Sequence, residues 1–391
     1  MGARRTVVAP RTDSTHEEVF VPSRVELRSD TFTLPSAAML RAMASAELGD
    51  DVYGEDPTVN ELEALAARTL GKPAACFLPS GTMANLASIM AHCPRGSKVI
   101  VGEESDIYVY EAGGAAVCGG VTYHPLPIQA DGSLALADIA AAFPADPGDP
   151  QFALPALLCL ENPQNQAGAK VLPMSYLADA KALAAERGIA LHMDGARLFN
   201  AALALDVDPA EIAAHADSLQ FCLSKGLGAP VGSMAVGEAA FVARVRRLRK
   251  MLGGGMRQSG VLAAAAIVAL ENRARLAEDH ATARRLAAGL RRIEGVVVDT
   301  DDVSTNMVFF RVVAPGWDNR AFLAACAAGG VGLAELAHDQ IRAVTHYGID
   351  DADIDHVLAV IASVLRGATP ASPPARESHD HRDFQESALA R

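Results

Sequence analysis

The sequence predicts an α/β fold, a mainly parallel sheet sandwiched by helices, with a smaller α+β domain toward the C-terminal end. Short apolar runs bounded by turn residues alternate with amphipathic helical segments through most of the chain, the pattern of strand–helix–strand units. The runs AACFL, KVIVGE, ALLCLE, IALHMD and LQFCLS are almost continuously apolar, as strands covered on both faces are. From about residue 265 the order changes to strands clustered with fewer helices. A length of 391 residues suits one large domain plus a smaller one.

Residues 1–22 are polar and Pro-containing and form an expected flexible N-terminal arm. The large domain is expected over residues 23–264. Its segment DPTVNELEALAARTLG is punctuated as a helix. Asp56 is the N-cap and Pro57 takes the first position, where no N–H is needed; Val59, Leu62 and Leu65 share a face, and Gly71 follows the end. The five apolar runs are its strands, separated by helices such as MSYLADAKALAAERG. A long helical region from about Ser259 to Leu290 leads into the small domain, residues 265–368. There GVVVDTDD, NMVFFRV, GVGLAE and IRAVTH are expected strands, with helices near Asn319–Ala328 and Asp351–Leu365. Residues 369–391 are rich in Pro, His and charge without an apolar period, and are expected to be a disordered tail. His379 and His381 fall in that solvated segment.

The formal net charge of −13 argues against a nucleic-acid or anionic-membrane partner, while leaving room for a local anion site. The six cysteines stand without CxxC or other metal-ligand spacing, mostly in apolar runs, so they read as free buried thiols and no metal is expected. No stretch is long and apolar enough to span a membrane, and the first residues lack a signal-type apolar core, so a cytoplasmic location is expected.

Ligands of open α/β sheets gather at the C-terminal ends of strands, and four motifs are candidates for that edge. In AACFLPSGTMAN a strand turns through Ser80, Gly81 and Thr82 into a helix whose N-terminal N–H groups could take a phosphate; an ordinary turn looks the same. In IALHMDGAR, Asp194 ends a buried strand and either caps the next segment or holds a buried cation, such as the pyridine nitrogen of pyridoxal 5′-phosphate (PLP). In LQFCLSKGLGAPVGS, Lys225 ends an apolar strand and enters a Gly-rich loop, where burial favours a neutral, nucleophilic amine; solvated lysines also occupy strand ends. In RKMLGGGMRQSG, three glycines suggest a close approach, with Arg257 as a phosphate clamp. The order strand–Ser-Gly-Thr, strand–Asp, strand–Lys favours a PLP site over the separate bland readings. No GxGxxG or GxxxxGK[ST] stands at a strand-to-helix joint, which sets a nucleotide site aside.

With these residues the sequence resembles the threonine aldolase family of PLP enzymes, of the aspartate-aminotransferase-like fold, PLP fold type I. The resemblance runs from about Val25 to Ser363 through LRSDTFTLP, GDDVYGEDPTVNELE, LPSGTMAN, YEAGGAA, LHMDGARLFNAA, CLSKGLGAPVGS, KMLGGGMRQSGVLAAA and IRAVTH. It implies that Lys225 forms the Schiff base with PLP, Asp194 pairs with the pyridine nitrogen, and Ser80, Gly81 and Thr82 bind the phosphate. Ser29, Arg197 and Arg342 would hold the substrate carboxylate, with Arg197 also near the ring hydroxyl. Tyr53 and Arg257 would reach into a neighbouring subunit's site, which implies a homotetramer built of dimers. The implied reaction cleaves a β-hydroxy-α-amino acid to glycine and an aldehyde.

Two positions depart from the family pattern. Typical members carry a histidine, stacked on the cofactor ring, where this chain has Asp106 in GEESDIYVYEAGG. Their Glu-Asn-Thr-His-Asn is here Glu161-Asn162-Pro163-Gln164-Asn165, so Gln164 replaces a second active-site histidine. Gln164 can hydrogen-bond but cannot take a proton near neutral pH, whereas Asp106 can act as a base. Both are candidate catalytic positions. The replacements keep open another PLP reaction on the same scaffold: transaldolation, β-elimination or replacement, or racemisation.

Overall fold

The computed structural model describes residues 25–299, 303–336 and 339–367; the expected arm and tail, residues 1–22 and 369–391, lie outside the described residues. Strand β1 (Val25–Glu26) belongs to the smaller half of the molecule, and the next seven strands build the central sheet. These are β2 (Ala74–Leu78), β3 (Lys98–Gly102), β4 (Thr122–Leu126), β5 (Pro155–Glu161), β6 (Ala190–Asp194), β7 (Ser218–Cys222) and β8 (Ser233–Gly237). Their spatial order is β2–β8–β7–β6–β5–β3–β4. All pairs are parallel except those of β8, which runs antiparallel between β2 and β7.

The five apolar runs are all strands of this sheet, and the sequence reading lacked β4 and β8. The β4 segment, Thr-Tyr-His-Pro-Leu, has no continuous apolar run because it lies at a sheet edge, where Pro and polar residues are tolerated. The β8 segment, Ser-Met-Ala-Val-Gly, is short and follows a Gly-rich loop, so only its pairing on both sides reveals it.

The helix at Pro57–Thr69 forms as its punctuation predicts. The Asp56 side chain accepts from the Val59 N–H (3.0 Å), and the chain leaves through Gly71 at φ +59°. Asp56 also accepts from the Gly260 N–H (2.9 Å), so a single buried carboxylate serves the starts of two helices. The expected long helix near 259–290 is two helices, Gly260–Glu271 and Leu276–Leu290, broken by a turn at Arg273–Arg275.

Strands β9 (Val296–Val298), β10 (Met307–Val312), β11 (Val331–Gly332), β12 (Ala334–Glu335) and β13 (Ile341–Val344) follow. Four of them form an antiparallel sheet in the order β12–β13–β10–β9, while β11 pairs with β1 in parallel. Leu27, beside β1, therefore packs into the second core with Val308, Phe310 and Phe322. Residues 263–276 instead pack into the first core, through Ala263, Ala266, Ala269 and Leu270. The change between cores thus falls after Leu276, later than the expected 265, because an Ala-rich helix without a polar face has to be buried on several sides. No helix among the described residues is long and apolar enough to cross a membrane.

Removing the Asp56 carboxylate leaves buried N–H donors at two helix starts without a partner. Asp56→Ala should therefore lower stability by about 2 kcal/mol or more in urea unfolding.

Candidate active site

The C-terminal ends of β2, β6 and β7 lie on one edge of the sheet, because the antiparallel β8 restores the direction of β2 to that of β7. A cavity of about 280 Å³ opens there, and its walls include Ser80, Gly81, Thr82, Asp106, Asp194 and Lys225. Ser80 is the N-cap of the helix Gly81–His92, accepting from the Met83 N–H (3.2 Å). A Cβ on Gly81 would lie 2.9 Å from Cys222 Sγ, so only glycine lets this helix start so close to β7.

Asp194 is the centre of the polar floor. Its Oδ1 accepts from Gln220 Nε2 (2.6 Å) and the Ala196 N–H (3.0 Å), and its Oδ2 accepts from Asn85 Nδ2 (2.8 Å). Burial pushes its carboxyl above the usual carboxylate range, Lys225 opposes that shift, and the charge of Asp106 adds to it. Asp194 makes no ion pair among the described residues. Glu111, also on the cavity wall, accepts from the same Asn85 amide group (2.8 Å). Burial and the nearby Asp194 push Glu111 up to about 9, so it carries a proton at neutral pH.

Asp106 begins the short helix after β3. Its backbone N–H donates to Glu161 Oε2 (2.8 Å) and its Oδ1 accepts from Asn165 Nδ2 at 3.3 Å. Gln164 does not join it on the cavity wall. Its Oε1 accepts from the Ala167 N–H (2.6 Å) and its Nε2 points to the Glu104 carbonyl (3.5 Å), so the amide closes its own loop.

The two arginines expected at the substrate carboxylate differ from one another. Arg197 is committed to Asp30, with Nε to Oδ2 at 2.8 Å and Nη2 to Oδ1 at 2.7 Å, both side chains buried. Burial alone would raise the Asp30 carboxyl, but Arg197, helped by Lys225 and Arg342, holds it well below the usual range. Arg342 donates to Asn165 Oδ1 (2.9 Å) and the Arg28 carbonyl (3.1 Å), while its buried Nε finds no hydrogen-bond partner among the described residues. Burial and the like charge of Arg197 push Arg342 down to about 10, so it stays charged at neutral pH. Ser29 caps the turn Asp30–Phe32 through Thr31 N–H (3.2 Å).

Tyr53 and Arg257 stand away from this cavity. Tyr53 is 76% exposed, and Arg257 pairs with Asp50 (3.0 Å) at the surface. The glycines before Arg257 answer to protein rather than ligand: Gly253 turns at φ +86°, and a Cβ on Gly254 would lie 2.2 Å from Met83 Sδ.

The donor set fits a flat aromatic cation that carries a phosphate and an aldehyde. The helix start at Ser80–Thr82 offers backbone N–H groups to the phosphate. Asp194, buried and without a cationic partner in contact, is suited to a protonated ring nitrogen, and Lys225 brings an amine to the same cavity. PLP has these features.

A family model for beta-eliminating lyases matches residues 26–313. The low specificity L-threonine aldolase of Escherichia coli (strain K12) is 48% identical over 336 residues, 86% of this chain and 97% of that one. The chain belongs to the beta-eliminating lyase family. Relatives at this identity place it among the threonine aldolases. The solved threonine aldolase of Leishmania major shares its fold, with TM-score 0.74 at 22% identity over 87% of this chain and 99% of that one. A solved structure of SPT with PLP has the fold too, with TM-score 0.69 at 17% identity over 90% and 91% of the two chains.

The PLP fold type I reading from the sequence is therefore that of the family. Asn85, Glu111 and Gln220 were absent from that reading. Gln220 left a trace, a lone polar residue inside the apolar run LQFCLS. Asn85 and Glu111 lie inside the runs LPSGTMAN and YEAGGAA without being singled out there, since their meeting depends on a helix lying across strands distant in sequence.

The proton on Glu111 has a consequence for stability. The unfolded chain loses it near the ordinary value of 4.5, while the folded chain keeps it to about 9, so the folded state loses stability as pH rises through that window. Urea unfolding of cofactor-free protein across this range should show the wild type losing ground steadily to Glu111→Gln. A pH-independent difference would contradict the assignment.

Proposed function

We propose that this chain is a cytoplasmic PLP-dependent carbon–carbon lyase. It cleaves, or in reverse forms, the Cα–Cβ bond of a β-hydroxy-α-amino acid such as L-threonine or L-allo-threonine, giving glycine and an aldehyde. The convergence of Ser80–Thr82, Asp194 and Lys225 on one cavity, in a chain similar to threonine aldolases over most of its length, carries this reading.

Bound PLP supplies an electron sink for the pair released at Cα. Lys225 anchors the cofactor through its Nζ, and Ser80, Gly81 and Thr82 bind the phosphate. Asp194, fixed by Asn85, Gln220 and the Ala196 N–H, holds a proton on the ring nitrogen. Arg342 takes the substrate carboxylate, because its buried Nε is an unused donor; Ser29 and Arg197 flank that region, with Arg197 occupied by Asp30. Fixing the carboxylate sets the breaking bond relative to the ring. Asp106 is the carboxylate that can take the β-hydroxyl proton, and Gln164, turned into its own loop, leaves that role to it.

The assembly is a homotetramer of dimers in which Tyr53 and Arg257 extend to a neighbour's cavity. Their exposure supports this, as does the Asp51 N–H bond to the Arg257 carbonyl (3.1 Å) that ties the two segments together. Exposed apolar side chains such as Leu40, Leu48 and Val117 suit such contacts.

PLP-loaded protein mixed with L-threonine, L-allo-threonine or L-phenylserine should release an aldehyde; pyruvate and ammonia instead would identify β-elimination. Lys225→Ala should lose the protein-bound cofactor absorbance. Asp106→Asn should lower kcat by about 10²–10⁴-fold, the usual contribution of a general base. Arg342→Ala should lower kcat/KM by about 10–100-fold, chiefly through KM, as expected for one lost charged hydrogen bond.

A further inference from the structure

The register of β6 and β7 sets His192 opposite Ser218 and Asp194 opposite Gln220. Alternation along each strand puts all four side chains on one face of the sheet. The helix Gly81–His92 crosses that face, with Asn85 and His92 about two turns apart on its inner side. A hydrogen-bond line results. His92 Nε2 lies 2.7 Å from Ser218 Oγ, which lies 2.8 Å from His192 Nδ1. His192 Nε2 lies 3.2 Å from Asn85 Oδ1, and Asn85 Nδ2 reaches Asp194 and Glu111 at 2.8 Å each.

One consistent set of proton positions on this line follows from the Asn85 amide. Asn85 spends both amide hydrogens on the two carboxyl groups, so its Oδ1 is the acceptor facing His192. His192 then carries its proton on Nε2 and accepts at Nδ1 from the Ser218 hydroxyl, whose oxygen accepts from His92 Nε2–H. Burial, with the neighbouring His92, pushes His192 down to about 3, and burial pushes His92 down to about 4, so both rings are neutral in the physiological range. Every donor on the line points toward the cavity floor.

We propose that His192, locked by Ser218 and His92, is a positioning residue that fixes the Asn85 amide so that both of its N–H donors serve Asp194 and Glu111. A reversed amide would turn its oxygen toward the acceptor-only Asp194 carboxylate and its N–H donors toward a ring nitrogen that already donates. With the amide fixed, one group steadies two neighbouring acids in different states, Asp194 ionised against the ring nitrogen and Glu111 protonated. The other charged groups facing Glu111 are Asp106, which favours its protonated form, and Lys225, which opposes it.

The test needs neither threonine nor turnover, so it can fail independently of the proposed reaction. Infrared difference spectra between PLP-loaded wild type and Glu111→Gln at neutral pH should show the loss of one protonated-carboxyl component, apart from any that buried Glu161 contributes. That component should persist in His192→Gln, whose amide can donate from the position of Nε2, and shift or vanish in His192→Phe. The pH titration of bound-cofactor absorbance should move in the Phe variant and return in the Gln variant. A Glu111→Gln difference spectrum without a lost protonated-carboxyl component, or a folded His192→Phe protein with that component and the titration unchanged, overturns the proposal. If His192→Phe does not fold, nitrogen-15 NMR of histidine-labelled wild type decides it: a proton on Nε2 of His192 supports the assignment, and a proton on Nδ1 overturns it.

Discussion

A carboxylate buried at the end of a parallel strand is costly to keep charged, and the architecture around Asp194 is organised by that cost. The strand carrying it lies in the middle of the sheet, covered by the helix Gly81–His92, so little of the charge is open to water. Three donors take its place, one from a neighbouring strand, one from the covering helix and one from the backbone after the strand. Lys225 offsets part of the remaining cost, and a cation bound in the cavity, such as the protonated ring nitrogen of the proposed site, would offset more.

The same low-polarity surroundings divide the other acids of the site into different roles. Glu111, close to Asp194 and served by the same amide, is held protonated. Asp30 is equally buried but faces Arg197 in a two-pronged pair, which keeps it ionised and keeps Arg197 from turning elsewhere. Asp106 sits on the cavity wall with one side-chain donor, Asn165, and makes no ion pair among the described residues. Geometry rather than residue type separates these four carboxyl groups.

Asp106 and Gln164, the two positions at which the sequence departs from the resemblance it shows, look different once they are seen in space. The two side chains do not face a common cavity. Asp106 enters the cavity, whereas Gln164 is drawn into the turn at Ala167 and bridges toward Lys170. Asn165 provides the connection that Gln164 does not, contacting Asp106 on one side and Arg342 on the other. Asp106 is thus linked to Arg342 by an amide that the sequence pattern did not single out.

What the sequence determined by itself was local. Apolar runs named five strands of the sheet, Asp56 and Pro57 named a helix start, and the order of Ser80, Asp194 and Lys225 along the chain pointed to one chemistry, because each signal is carried by a few neighbouring residues. Tertiary structure decided the rest, for reasons of distance and direction. It brought in β8, recognisable only by pairing on both sides, and moved the change of core past Leu276, since an all-apolar helix has no face of its own to declare. It turned Gln164 away from the cavity, occupied Arg197 with Asp30, and aligned Asn85 with His192 through the crossing of a helix over two strands. Such relations depend on how elements far apart in sequence meet, and no local pattern of residue types records that.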